Sequence, residues 1–391
     1  MKFKTQLFVG LVAAALTALS IMAHIVGPST LHYPEDTRKV TVTYHLENEI
    51  FNKRPLTTSM VVFLVEAAGL SYQTSFFLLQ FFLYFLTGPA FYYYLRQLKF
   101  TNGPALGGMA LFLLCQPVLM AHFEPIHTWD DFWMYIFVPL SLGLALGGRI
   151  IPAALAMSAA LLSRETTLLY LPFLFMAACK SASKRKAANG VLAIAVSIIA
   201  FLVLRIALYG TETAPPYDCL TFNFENALRT RDTIFSFLVS LGFLWVIGIK
   251  QLFSTVNNQN DYWNSVRIGA VITIIGFVAS TLLYGHARES RLFVPPAIFL
   301  IPLTLWYDQE NVIRLKELFI SNKLLKLLAS ALLMVLSYLA VKYFFSKFEY
   351  RTWPDANRAY MMMHVWIVLA FSFFELWKMF VKLRQTSPKT R

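Results

Sequence analysis

The run Arg149–Lys180, RIIPAALAMSAALLSRETTLLYLPFLFMAACK, decides how this chain is built. It is apolar from end to end except at Ser163-Arg164-Glu165, and both flanks are basic: Arg149 on one side, Lys180, Lys184, Arg185 and Lys186 on the other. Basic residues beside membrane segments stay on the cytoplasmic side. At about 1.5 Å per residue, one helix of this length would overshoot a hydrocarbon core of roughly 30 Å. The run must therefore enter the bilayer, turn and come back. The predicted turn is the charged pair, with short helices over 150–163 and 165–179 forming a broken hairpin.

Working outward, apolar runs of the length that a span needs lie near 6–26, 73–95, 104–121, 130–147, 189–208, 233–249, 268–285, 290–306, 323–345 and 361–382. With the hairpin they predict an all-α, polytopic membrane bundle of about twelve segments, both termini inside. The first run is longer than the apolar core of a signal peptide and is read as an uncleaved span. Segment 57–70, which carries Glu66, is short and polar for a span. It is expected to lie on the outer interface within the outer loop 27–72. Two further outer loops are 209–232 and 346–360. No stretch is long and polar enough for a soluble domain, so residues 1–391 read as one transmembrane domain.

Composition agrees: 57% of residues are hydrophobic, 14% are charged, and Phe alone occurs 35 times, whereas a soluble domain carries about 25% charged residues. The net charge of +13 raises the question of nucleic acid. The basic residues sit at the ends of apolar runs, however, which is the positive-inside pattern, so no nucleic-acid partner is expected. Three cysteines form no disulfide framework, and no zinc spacing occurs. With no Gly-rich phosphate loop or dinucleotide fingerprint, a cytosolic nucleotide-sugar donor is not expected.

Only Lys and Arg set topology, yet the acids and all seven histidines gather towards the other, outer face. That second asymmetry needs its own explanation, and four outer segments hold most of it. In the first loop, Glu35-Asp36 offers a base, Asp36 ahead of Glu35; a solvated loop carboxylate is the alternative. The short connection His122–Asp131 ends in Asp130-Asp131. These two could favour the N-terminal dipole of the next helix, hold a divalent cation such as Mg²⁺ or Mn²⁺ through oxygen, or supply a base. Arg164-Glu165 is either a salt-bridged helix break or an anion site in which Arg164 meets phosphate and Glu165 orients it. The segment His286-Ala287-Arg288-Glu289-Ser290-Arg291 places two arginines three apart beside a histidine. That pattern suits a phosphate clamp, or an anchor at the outer interface.

Taken together, the acidic first outer loop, Trp129-Asp130-Asp131 after the third span, and Ser163-Arg164-Glu165-Thr166-Thr167 before an apolar run reaching Pro172 resemble the GT-C superfamily of integral-membrane glycosyltransferases. The likeness covers residues 1–180, with Arg288–Pro296 a looser echo. It implies a dolichyl- or undecaprenyl-phosphate sugar donor, inversion at the anomeric carbon, Asp36 as the base on the acceptor hydroxyl, Asp130 and Asp131 as the second acidic motif that holds metal in some members, and Arg164 near the donor phosphate. The expected function is sugar transfer to a glycan, lipid or protein acceptor, on the outer face of a bacterial inner (plasma) membrane. The alternative is a transporter or flippase of lipid-linked glycans or small solutes. Against it, charged groups lie at one face and no repeat is visible.

Overall fold

A bilayer offers the backbone no hydrogen-bond partner but itself, so spanning segments are helices or closed barrels. In the computed structural model every described segment is helical, and no strand occurs among the described residues. Those residues are 3–26, 34–48, 54–120, 129–180, 186–209, 219–253, 262–286, 290–306, 331–339, 342, 365, 368 and 369. In chain order the helices are α1 (Phe3–Val26), α2 (Glu35–Glu47), α3 (Pro55–Glu66), α4 (Tyr72–Gln97), α5 (Asn102–Leu113), α6 (Gln116–Met120), α7 (Trp129–Leu146), α8 (Ile150–Ser163), α9 (Leu171–Cys179), α10 (Lys186–Tyr209), α11 (Cys219–Phe224), α12 (Ala227–Leu241), α13 (Phe243–Leu252), α14 (Trp263–Tyr284) and α15 (Ala297–Trp306). Short 3-10 turns, Glu165–Tyr170 and Ser290–Phe293, precede α9 and α15.

Four of these helices are long and apolar enough to cross a membrane: α1, α4, α10 and α14. A fifth crossing forms if α12 and α13, bent by 69°, count as one. This is fewer than the twelve segments expected from run length. The physical reason is interruption: the run 104–121 is split into α5 and α6 at Leu114-Cys115, and 290–306 begins with a 3-10 turn ahead of α15. The runs 323–345 and 361–382 lie almost wholly outside the described residues. Little of the apolar length of α1 and α10 is buried, and Leu11, Leu19, Met22, Ile199, Val203 and Ile206 are exposed. Apolar faces of that extent fit acyl chains rather than water.

The apolar run 149–180 is interrupted at Arg164. α8 ends at Ser163, and Arg164 is extended at φ −152°, ψ 117°. The second arm restarts as the 3-10 turn, because Pro172 in the first turn of α9 has no N–H to continue an earlier helix. Ser163 Oγ donates to the Ala160 carbonyl at 2.7 Å and Tyr170 Oη to the Pro295 carbonyl at 2.6 Å, tying the break to the rest of the bundle.

Helices α4, α7, α8 and α10 pack in sequence, with α5 and α1 against α4 and α9 against α10. Small and polar residues allow the close approaches. A Cβ at Gly143 would lie 2.8 Å from the Tyr93 ring, and one at Gly248 2.6 Å from Leu300. Between α8 and α10, Ser158 Oγ lies 3.1 Å from the Ser197 carbonyl and Ser197 Oγ 3.2 Å from the Ala154 carbonyl. Segment 57–70 is mostly α3, which packs on α2, α4, α7 and α8 with Thr57, Thr58 and Val61 buried.

The bundle has two unlike ends. At one, Phe100 stacks on Trp306 at 5.0 Å, Trp306 meets Trp263 at 5.1 Å, and Lys180 lies over Tyr262 at 5.4 Å. At the other gather the charged residues that hold the candidate site.

Candidate functional site

Asp130 and Asp131 occupy the first turn of α7, where the helix dipole favours carboxylates. The pair is buried, at 1% and 3% exposure, so their charges must be met by protein groups. Asp131 is met twice. Arg164 Nη2 lies 2.5 Å from its Oδ1, and Arg291 Nη1 donates to its Oδ2 at 2.9 Å. Asp131 thus joins the hairpin break to the 3-10 turn before α15, two segments far apart in the chain.

Asp130 is held differently. Thr57 Oγ1 donates to its Oδ1 at 2.7 Å, and Trp133 Nε1 donates to Thr57 Oγ1 at 3.2 Å. Its other oxygen, Oδ2, is buried with no hydrogen-bond partner among the described residues. Glu165 forms the open side of the cluster. Arg54 Nη2 reaches it at 3.2 Å and Arg205 Nη1 at 2.9 Å, with Glu165 still 35% and Arg205 26% exposed. Arg54 and Arg291 both act electrostatically on Arg164, as do the two aspartates, so the two halves form one field.

Among the described residues, four guanidinium groups therefore face three carboxylates. Donors are also left over: Nε of Arg164 and of Arg54 have no partner among the described residues. Buried donors without acceptors destabilise by about 1–3 kcal/mol each, more when charged. An incoming anion with several oxygens would relieve that. A divalent cation does not fit this set. Both Asp131 oxygens are taken by arginine, Asp130 lies in the field of Arg54 and Arg164, and no group of three or more His, Cys, Asp or Glu gathers among the described residues.

The remaining expected site residues fall elsewhere. Glu35 accepts the backbone N–H of Tyr72 at 2.6 Å and of Gln73 at 2.9 Å, so its carboxylate closes the N-terminus of α4. Asp36 is exposed in the first turn of α2. Arg38 from the same turn is buried under the Phe76 ring at 5.7 Å. Burial pulls its guanidinium below the ordinary range, with the Glu35 charge acting against that shift. His286 sits edge-on to Phe222 at 4.6 Å, and Arg229 lies over the same ring at 3.8 Å. That patch belongs to α11 and α12 rather than to the arginine cluster. Arg288, His122 and His127 lie outside the described residues.

Sequence reasoning missed Arg54, Arg205, Thr57 and Trp133. Arg205 had a signal: it is a lone cation inside the apolar run of α10, and such charges face a partner or a cavity. Arg54, Thr57 and Trp133 carry none, because only packing brings the first turn of α3 onto α7. Compared with known proteins, the chain matches no family model, no curated protein and no solved structure.

Proposed function

We propose that this chain is an integral-membrane glycosyltransferase that moves a sugar from a polyprenyl-phosphate donor to a glycan, lipid or protein acceptor. One observation carries the reading: Arg54, Arg164, Arg205 and Arg291, from four separate segments, converge on a largely buried cluster with, among the described residues, more positive than negative groups and unfilled donors. A polyprenyl-phosphate sugar carries one negative charge on its phosphodiester, and cleavage at the anomeric carbon leaves a monoester with more. Cations that bind the leaving phosphate more strongly than the intact donor lower the barrier. Guanidinium suits this because its paired N–H groups match phosphate oxygens.

The lipid tail has a path as well. Arg205 is flanked on α10 by the exposed apolar residues Ile199, Leu202, Val203 and Ile206, so a headgroup at the cluster would leave its isoprenoid chain along an apolar surface. In this reading the chain has about twelve membrane segments with both termini inside and a GT-C-like arrangement, and the cluster faces outward from a bacterial inner membrane. The ionisable groups of the described apolar helices lie towards their ends rather than at their middles, which favours an enzyme at one face over a transporter with a mid-membrane site.

The test is release of polyprenyl phosphate from a labelled lipid-phosphate sugar by purified protein in nanodiscs. Arg164→Ala should lower turnover at least 100-fold, the usual effect of losing one group that stabilises developing charge. Binding of polyprenyl phosphate should weaken in parallel. Wild-type turnover in Arg164→Ala would remove the assignment.

A further inference from the structure

We infer that Asp130, rather than the loop carboxylate Asp36, takes the proton from the acceptor hydroxyl; the inference rests on the transferase reading above. Two adjacent aspartates open α7 and their surroundings divide the work between them. Asp131 has both oxygens engaged by Arg164 and Arg291, so it positions those cations and has no oxygen left for a substrate. Asp130 has one oxygen fixed and one with no hydrogen-bond partner among the described residues.

The fixed side is a relay of hydrogen bonds. Trp133 Nε1 donates to Thr57 Oγ1, which leaves the single hydroxyl proton of Thr57 to point at Asp130 Oδ1. That sets the plane of the carboxylate. Oδ2 is then a buried acceptor awaiting a donor, an arrangement that destabilises the protein unless a ligand fills it. The donor chemistry that fits is O–H, because the nearby cations Arg54 and Arg164 are suited to a phosphate. An acceptor hydroxyl on Oδ2 and a donor phosphate on Arg164 would be neighbours. Asp36 is exposed, and Glu35 is engaged by the backbone of α4.

The step balances as follows. The acceptor O–H proton moves to Asp130 Oδ2 while the acceptor oxygen bonds to the anomeric carbon. The bond from that carbon to the phosphate oxygen breaks, and its electron pair leaves on the phosphate, which Arg164 and Arg54 hold. Asp130 returns its proton to water as the products depart. Asp130 is the catalytic residue here, and Thr57 and Trp133 are positioning residues.

The experiment uses the full chain in nanodiscs and reads three quantities: kcat for sugar transfer, binding of undecaprenyl phosphate, and donor cleavage with sodium azide as acceptor. Azide is an anion that needs no deprotonation, and it yields a glycosyl azide and free lipid phosphate. Asp130→Asn should lose at least 100-fold in kcat with the hydroxyl acceptor, keep lipid-phosphate binding within threefold, and cleave donor with azide at near the wild-type rate. Asp130→Glu should retain a slow, base-dependent rate with a displaced pH profile. Thr57→Val should lose about tenfold in kcat, and Thr57→Ser should restore it. Asp36→Asn should behave as wild type. Hydroxyl transfer by Asp130→Asn within threefold of wild type overturns the inference, as does equal loss of its azide and hydroxyl reactions, which marks a structural role. A base-type loss in Asp36→Asn moves the role to the loop. Failure of the wild-type protein to bind or release polyprenyl phosphate sinks the transferase reading itself, a result distinguishable from all of these.

Discussion

Asp131 shows how one carboxylate can hold a site together without touching a substrate. It is buried and lies against Arg164 on one oxygen and Arg291 on the other. Removing the shared partner of buried charges is among the more damaging single changes, at about 3–5 kcal/mol, because the guanidiniums stay behind uncompensated. Asp131→Asn should therefore lower stability by about that amount, measured by denaturant unfolding in mixed micelles. Stability unchanged within 1 kcal/mol or so would mean that water or lipid reaches both arginines. Glu35 teaches the opposite lesson. A carboxylate that reads as catalytic in sequence is engaged by the N–H groups of Tyr72 and Gln73, because the orphan donors of a helix start need an acceptor. Residue type alone did not separate those two roles; their neighbours did.

At the scale of elements, the α7–α8 connection is a tight reversal built on backbone conformation. Arg149 N–H bonds to the Leu144 carbonyl at 2.9 Å and Gly148 N–H to that of Ala145 at 3.0 Å, with Gly148 at φ +79°. This pair of bonds is the Schellman termination, which calls for a left-handed residue at Gly148. The same pattern ends α4: Phe100 N–H bonds to Leu95 and Lys99 N–H to Arg96, but here Lys99 occupies the left-handed position at φ +71°. The two connections therefore predict opposite responses. Gly148→Ala should destabilise by about 1–2 kcal/mol, and Lys99→Gly should stabilise by up to about 1 kcal/mol. Unfolding titrations of the two variants check this, and a shared sign would contradict the backbone argument. Since α7 carries Asp130 and Asp131 at its far end and α8 leads to Arg164 at its own far end, strain at Gly148 reaches the site only through the length of one helix or the other, so lipid-phosphate binding should survive in Gly148→Ala.

For the whole molecule, the charged residues and the tryptophan cluster lie at separate ends. Arg54, Asp131, Arg164, Arg205 and Arg291 are brought together at one, and Phe100, Lys180, Tyr262, Trp263 and Trp306 at the other. The alternation of runs in the sequence assigns the first group to the outside and the second to the cytoplasm. In a cysteine-free background, Ser71→Cys should react with a membrane-impermeant maleimide in intact cells. Thr101→Cys should react only after the membrane is opened. Both positions are exposed, so access is decided by side alone. Labelling of both from outside would refute the alternation.

The sequence by itself determined that the chain is helical with apolar helices long enough to span a membrane, and that the run 149–180 breaks at Arg164. Each follows from local hydrophobicity and from where basic residues stop an apolar run, which are properties of consecutive residues. Tertiary structure alone decided the membership of the site. It joined Arg54, Arg205 and Thr57 to Asp130, Asp131, Arg164 and Arg291, and left Asp36 exposed. It also halved several expected spans where the chain breaks, as at Leu114-Cys115. The reason is physical. A buried charge must be met by whatever lies beside it in space, and helix packing, not spacing along the chain, chooses that neighbour.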